Sequence, residues 1–305
     1  MTRWRIYLRE RFPLAGHGPL VAAFSLSAVS VSRLLRGERG LPDPAALAVA
    51  FVVALLFFFQ LRIADEFKDF DDDRRYRPYR PVPRGLVTLT ELGRLGVASA
   101  VVQLAAAWAL APWLIVPLML AWTYLGLMTR EFFAPAWLKA RPIAYMASHM
   151  AIIPLIDFFA TACDWLVAGH TRPPHGLIWF LLVSYANGVV VEIGRKTRAR
   201  QDEERGVETY SALWGRSVAV QAWLLAIGAT ALCAWQTARH IGIAGPFTWV
   251  LFALIAGCTA VAVTFLRSSR AGAGKRLENM SGVWTLVMYL SLGAVPALVL
   301  SGSAP

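Results

Sequence analysis

Six acids crowd into nine residues: Asp65, Glu66, Asp69, Asp71, Asp72 and Asp73, in the stretch "ADEFKDFDDDRRYRPYRPVPRG" (64–85). Asp65, Asp69 and Asp73 recur every four residues, which puts them on one face if the preceding helix continues. Glu66 borders that face. Carboxylates gathered this way repel one another unless a cation is present. Mg2+ is a hard ion that takes oxygen ligands, commonly one or two carboxylates with phosphate oxygens completing the shell. The pattern suits a metal-bridged phosphate better than an all-protein cage. The plain alternative is a solvated acidic helix end, balanced by Arg74, Arg75, Arg77, Arg80 and Arg84. Asp71 and Asp72 fall off the face and read as solvated.

A second charged stretch is "VEIGRKTRARQDEERGVETYSALWG" (191–215). Glu192 precedes Arg195 and Lys196 by about one turn, and Asp202, Glu203 and Glu204 follow. Taken singly, Glu192 with Lys196 is an ordinary i,i+4 helix pair, and so is Asp202 with Arg198. The interest lies in pairing this stretch with the first one.

The elements that must position these residues are apolar. The chain has 305 residues, of which 57% are hydrophobic. A soluble chain averages roughly 45–50%. Runs near the ~20 residues that span a bilayer recur along the whole sequence. We place nine spans at about 14–35, 44–63, 92–110, 112–128, 142–168, 176–194, 217–238, 246–266 and 281–301, with a kink at Pro154 in the fifth. Of the 30 Lys and Arg, 25 fall at the N-terminus and around the loops after spans 2, 4, 6 and 8. That asymmetry predicts a cytoplasmic N-terminus, both acidic stretches on the cytoplasmic face and the C-terminus outside. The first span stays attached in this topology. The net charge of +11 is explained by orientation and anionic lipid, so no nucleic-acid partner is expected. Cys163, Cys233 and Cys258 lie apart in apolar runs and read as small core residues.

Few charges lie inside the spans. Asp157 in the fifth is the main intramembrane candidate, as a base or an acceptor-orienting group. The alternative is a hydrogen bond that fixes helix packing. In span 6, Tyr185 and Glu192 share a face, and Asn187 could hydrogen-bond a substrate or a neighbouring helix.

The first stretch resembles the aspartate-rich signature of the UbiA superfamily of membrane prenyltransferases, N/D-D-x-x-D-x-x-x-D followed by R-P. Here it reads Asp65-Glu66-x-x-Asp69-x-x-x-Asp73, then Arg80-Pro81 and "VPRG". Asp65 stands where Asn is usual and Glu66 where Asp is more common. "GVETYSALWG" (206–215) is similar to the tail of the family's second motif. Asp202 fits that motif's last aspartate, Arg198 stands where Asp is usual, and Glu192 is the candidate replacement. "LMTREFFAPAWLKARP" (127–142) resembles the family's basic loop.

The resemblance implies an all-α polytopic fold of nine helices around a central cavity open to the cytoplasmic side, as one domain over 1–305, with motif loops at about 64–91 and 192–216. It implies Mg2+, as two ions, bound with a prenyl diphosphate whose prenyl group passes to a small or lipidic acceptor. Metal ligands would be Asp65, Glu66, Asp69, Asp73, Glu192 and Asp202. Lys139, Arg141, Arg195, Lys196 and Arg80 would bind diphosphate. Asp69, Asp157 and Glu192 are the catalytic candidates. The expected setting is the inner membrane of a bacterium. Two other readings stand beside this one: a terpene cyclase on the same fold, and a non-catalytic transporter with a cytoplasmic metal site. Acceptor, prenyl length and oligomeric state are not set by the sequence.

Overall fold

The computed structural model describes residues 2–204, 206–268 and 270–301. The residues expected beyond the last span, 302–305, lie outside these. No β-strand occurs among the described residues. In chain order the helices are α1 (Arg3–Arg11), α2 (Leu14–Leu35), α3 (Pro44–Lys68), α4 (Phe70–Tyr76), α5 (Leu89–Leu110), α6 (Ile115–Thr129), α7 (Pro135–Lys139) and α8 (Pro142–Met150). They continue as α9 (Ile152–Trp165), α10 (Leu177–Arg195), α11 (Tyr210–Trp214), α12 (Arg216–His240), α13 (Ala244–Arg267), α14 (Gly274–Tyr289) and α15 (Val295–Ser301). Nine segments among the described residues are long and apolar enough to cross a membrane. The chain is an integral multi-pass membrane protein.

Two segments are built from two helices each. α8 and α9 meet at Ala151, three residues before Pro154. A proline cannot donate to the carbonyl four residues back, here Met150, so the helix breaks there rather than at the ring itself. α14 passes through a π-helical turn, Leu290–Ala294, into α15, just ahead of Pro296.

The chain packs as two compact units. The first comprises Met1–Val29, Pro42–Arg141 and Leu155–Pro173. Its centre is α3 against α5. Ala46, Ala50, Val53, Ala54 and Phe57 form the buried stripe of α3, at helical spacing. In lipid there is no hydrophobic drive between helices, so close packing and polar bonds hold them. Gln60 Nε2 donates to the Gly96 carbonyl at 3.2 Å, and Gln103 Nε2 to the Val53 carbonyl at 3.0 Å. Trp122 Nε1 then donates to Gln103 Oε1 at 3.0 Å. The start of α3 is capped by Asp43, with Pro44 at its first position, and the start of α5 by a Thr88/Glu91 capping box.

The second unit comprises Ser30–Leu41, Pro142–Pro154 and Pro174–Pro305. Here α10 packs on α12 and α14. Trp223 Nε1 donates to Ser281 Oγ at 2.9 Å, and Ser281 Oγ donates to the Leu277 carbonyl at 2.8 Å. Arg216 closes the near end by donating to the carbonyls of Phe265 and Ser268. Large apolar side chains such as Trp108, Trp113, Leu225 and Trp249 stay exposed on the helix surfaces, as lipid contact allows.

Candidate functional site

The first acidic stretch lies wholly in the first unit. α3 does not run on through it: the helix ends at Lys68, Asp69 caps it, and α4 begins at Phe70. Backbone bonds still step by four across the junction, from Asp69 N to Asp65 O (2.9 Å) and from Asp73 N to Asp69 O (2.7 Å). The unbroken helix on which a single acidic face depended is thus interrupted at Asp69, while the four-residue step carries across it. Glu66 and Asp73 point inward, 2% and 1% exposed, while Asp65 is exposed and Asp69 half-buried.

Arginines take up the two inward carboxylates. Arg11 Nε meets Glu66 Oε1 at 2.5 Å, and Arg62 Nε approaches the same oxygen at 3.6 Å. Asp73 accepts both Nη1 contacts of Arg80, at 2.9 and 2.6 Å, with Arg77 Nη2 at 2.8 Å and Arg11 Nη2 at 4.0 Å. Arg62 also reaches Asp65 at 3.2 Å. Tyr7 is fully buried beside this group, and burial followed by the Glu66 charge pushes its hydroxyl pKa far up.

Asp69 is different. No side-chain hydrogen bond or ion pair to it is found among the described residues. Burial, then the charges of Asp65 and Asp73, push its carboxyl above the usual range, with Lys68 working against them. Crowded oxygens of this kind are the donor chemistry that a hard divalent ion takes. No group of three His, Cys, Asp or Glu side chains forms a ready cage among the described residues. One or two carboxylates suffice for Mg2+ when phosphate supplies other oxygens. Asp65 and Asp69 fit that requirement. Glu66 and Asp73 are each held by two or more arginines, whereas Asp65 pairs with Arg62 alone among the described residues.

The basic loop of this unit carries backbone strain. Glu131, Phe132 and Phe133 hold positive φ in succession, at 48°, 53° and 58°. Bulky residues rarely adopt that region, and such outliers cluster at functional loops. Glu131 pairs with Lys68 at 3.2 Å, which ties the loop to the end of α3. Lys139 is exposed, and Arg141 lies over the Trp137 ring at 4.7 Å. Asp157 is fully buried in α9.

The second stretch lies in the second unit. Glu192 is buried and held by Arg195 Nη2 at 2.6 Å and Lys196 Nζ at 2.8 Å, the plain helix pairing. Asp202 Oδ2 accepts the Gly272 N–H at 2.8 Å. Its expected pairing with Arg198 is replaced: that guanidinium meets Glu204 at 3.1 Å and the Asp202 backbone carbonyl at 3.3 Å. Glu203 accepts the hydroxyls of Thr209 and Ser211 at 2.6 and 2.7 Å, so the loop folds onto the start of α11. Gly206 and Gly215 bound that tail with φ of 79° and 80°, where glycine is the natural residue. Tyr210 stacks on Trp214 and sits under Lys196, and burial followed by the Glu192 charge raises its hydroxyl pKa.

Sequence reasoning singled out Asp73 and Arg80, and the structure joins them. Arg77, named there among the balancing arginines, pairs with Asp73 at i,i+4, while Arg62, whose i,i+4 spacing to Glu66 was a readable signal, was missed. Arg11, for which no local signal exists, was missed too.

The model of the UbiA prenyltransferase family matches residues 25–299. A search of the curated proteins finds no match. Among solved structures, the apo structure of a UbiA homolog from Aeropyrum pernix K1 superposes with a TM-score of 0.67 at 14% identity, covering 91% of this chain and 97% of that one. A structure concerned with digeranylgeranylglyceryl phosphate synthase in membranes gives 0.64 at 13% identity, covering 98% and 100%. At such identities these two likenesses speak to the fold.

Proposed function

The chain belongs to the UbiA prenyltransferase family, and from that premise we propose a magnesium-dependent transfer of a prenyl group from an allylic diphosphate to an acceptor within the membrane. The allylic C–O bond breaks with its electron pair leaving on the diphosphate. The allylic carbon then bonds to a nucleophilic atom of the acceptor, which loses a proton. Mg2+ held by Asp65 and Asp69 would offset the charge that develops on the leaving group.

The chain's own residues do the rest. Lys139 and Arg141 add cations in the first unit. In the second unit, Arg195 and Lys196 share one carboxylate, Glu192, which leaves that helix end with net positive charge. Arg80 is committed to Asp73 and holds the loop that follows the acids. Asp157, a carboxylate buried within a membrane helix, is assigned to the acceptor, since such groups are costly and functional by default. Apolar helix surfaces keep water from the cation left on the prenyl chain.

The observation that carries this reading is Asp69, half-buried, crowded by Asp65 and Asp73, and with its carboxyl pKa pushed up by burial and those charges. Purified protein with Mg2+ and labelled prenyl diphosphates should release pyrophosphate and form a prenylated product only when an acceptor is added. Hydrocarbon formed without acceptor would make it a cyclase, and no pyrophosphate release in any mixture would end the reading. Asp69→Ala should lower turnover by at least about 100-fold, and chelation of Mg2+ should do the same reversibly. Asp157→Asn should change the acceptor KM more than the diphosphate KM.

A further inference from the structure

We infer that Glu66 is the anchor of the N-terminal helix, and that it stays on Arg11 when metal binds. The metal arm of this inference rests on the reading of Asp65 and Asp69 given above. The anchor itself rests on geometry alone.

α1 is short and would not hold its shape unaided. Ion pairs tie it down. Arg3 meets Glu91 at 2.6 Å, Glu10 meets Arg84 at 3.0 Å and Arg11 meets Glu66 at 2.5 Å. The pairs of Arg11 are the buried ones: its side chain is 9% exposed, that of Glu66 1%, and that of Asp73, 4.0 Å away, 2%. Tyr7 sits one turn back from Arg11, in a cluster with Ile63, Val82, Val87 and Leu92. So α1 seals the Arg11–Glu66 pair from solvent on one side, and the end of α3 does so on the other.

A metal that recruited Glu66 would leave Arg11 buried with only Asp73, 4.0 Å away and already shared by Arg77 and Arg80. An uncompensated buried charge is strongly unfavourable. Glu66 is thus held where it is. The network also runs on: Asp73 holds Arg80, and Arg84 returns to Glu10 on α1. Neighbouring residues of α1, Glu10 and Arg11, therefore grip the loop after the acids and the acid helix at once. The N-terminal helix becomes part of the site's frame, and the exposed Asp65 and the half-buried Asp69 are left for the cation.

Hydrogen exchange on the full-length protein in detergent, with Mn2+ as the probe ion, tests this. Exchange of amides 3–11 in the unaltered protein should stay the same when Mn2+ is added. Glu66→Gln should speed that exchange by at least about tenfold and leave the Mn2+ affinity, read by electron paramagnetic resonance, within about twofold. Asp69→Asn should do the reverse: weaken Mn2+ by about tenfold or more and leave exchange of 3–11 unchanged. The inference is overturned if Mn2+ loosens 3–11, if Glu66→Gln leaves exchange unchanged, or if it weakens Mn2+ as much as Asp69→Asn does. Should Glu66→Gln fail to fold, the response of the unaltered protein to Mn2+ still decides. If Mn2+ binds neither protein, the metal reading falls, and the Glu66→Gln exchange alone tests the anchor.

Discussion

A methyl group on Gly274 would stand 2.5 Å from the Thr197 carbonyl oxygen and 3.0 Å from Arg198 Cα. Both obstacles are backbone, so neither can rotate aside. The same turn supplies the Gly272 N–H to Asp202, which makes it the seat of the second acidic loop. Gly274→Ala should lower stability by about 1–3 kcal/mol, seen as a lower Tm, and should speed exchange of amides in 197–204. Gly93 is the control. A methyl there meets only the tip of Phe67, at 3.5 Å, and lies inside α5. Gly93→Ala should therefore hold or raise stability, by up to about 1 kcal/mol. None of this was legible in the sequence, because a glycine's tolerance depends on what comes close from far along the chain. The same limit hid Arg11, 55 residues from its partner. By contrast, Asp73 with Arg77 is four residues apart and could be read directly.

Helices show a second kind of limit. Nine spans were legible because hydropathy over some twenty residues is a strong signal. Their ends were less so. α3 runs to Lys68 and not 63, and α14 begins at Gly274 and not 281, since charged turns extend beyond the apolar core without ending a helix. The acidic face depended on the same point: i,i+4 spacing fixes a face only while the helix is unbroken, and this helix stops at Asp69 although the four-residue bonds step across the junction. One seam shows what such spacing does give. Phe180 and Gly194, fourteen residues apart on α10, both meet α14, at Tyr289 and Ser281. Asn187 lies midway on that face, 1% exposed, and neither amide atom has a hydrogen-bond partner among the described residues. A buried polar group left this way costs about 1–3 kcal/mol. Asn187→Leu, similar in volume, should raise the unfolding temperature of the purified protein. A fall instead would mean that the amide is satisfied by bound water or another partner.

At the scale of the molecule, the distribution of basic residues makes a claim about orientation. Twenty-five of 30 Lys and Arg gather at one set of chain segments, which the positive-inside rule assigns to the cytoplasm. Three spanning segments separate the acidic stretch from the loop at 166–176: α5, the segment through α6, and the α8–α9 pair. An odd number of crossings would put the two on opposite sides. Asp71 and Arg172 are exposed and outside every span, so each can carry a reporter cysteine. The background is low, because Cys163 and Cys258 are buried and Cys233 is partly covered. With a membrane-impermeant maleimide, Arg172→Cys should label in intact cells, and Asp71→Cys only after the membrane is opened. Labelling of both in intact cells would mean an even number of crossings between them, and the reverse pattern would turn the protein over. A diphosphate made in the cytoplasm could then no longer meet the carboxylates at the end of α3.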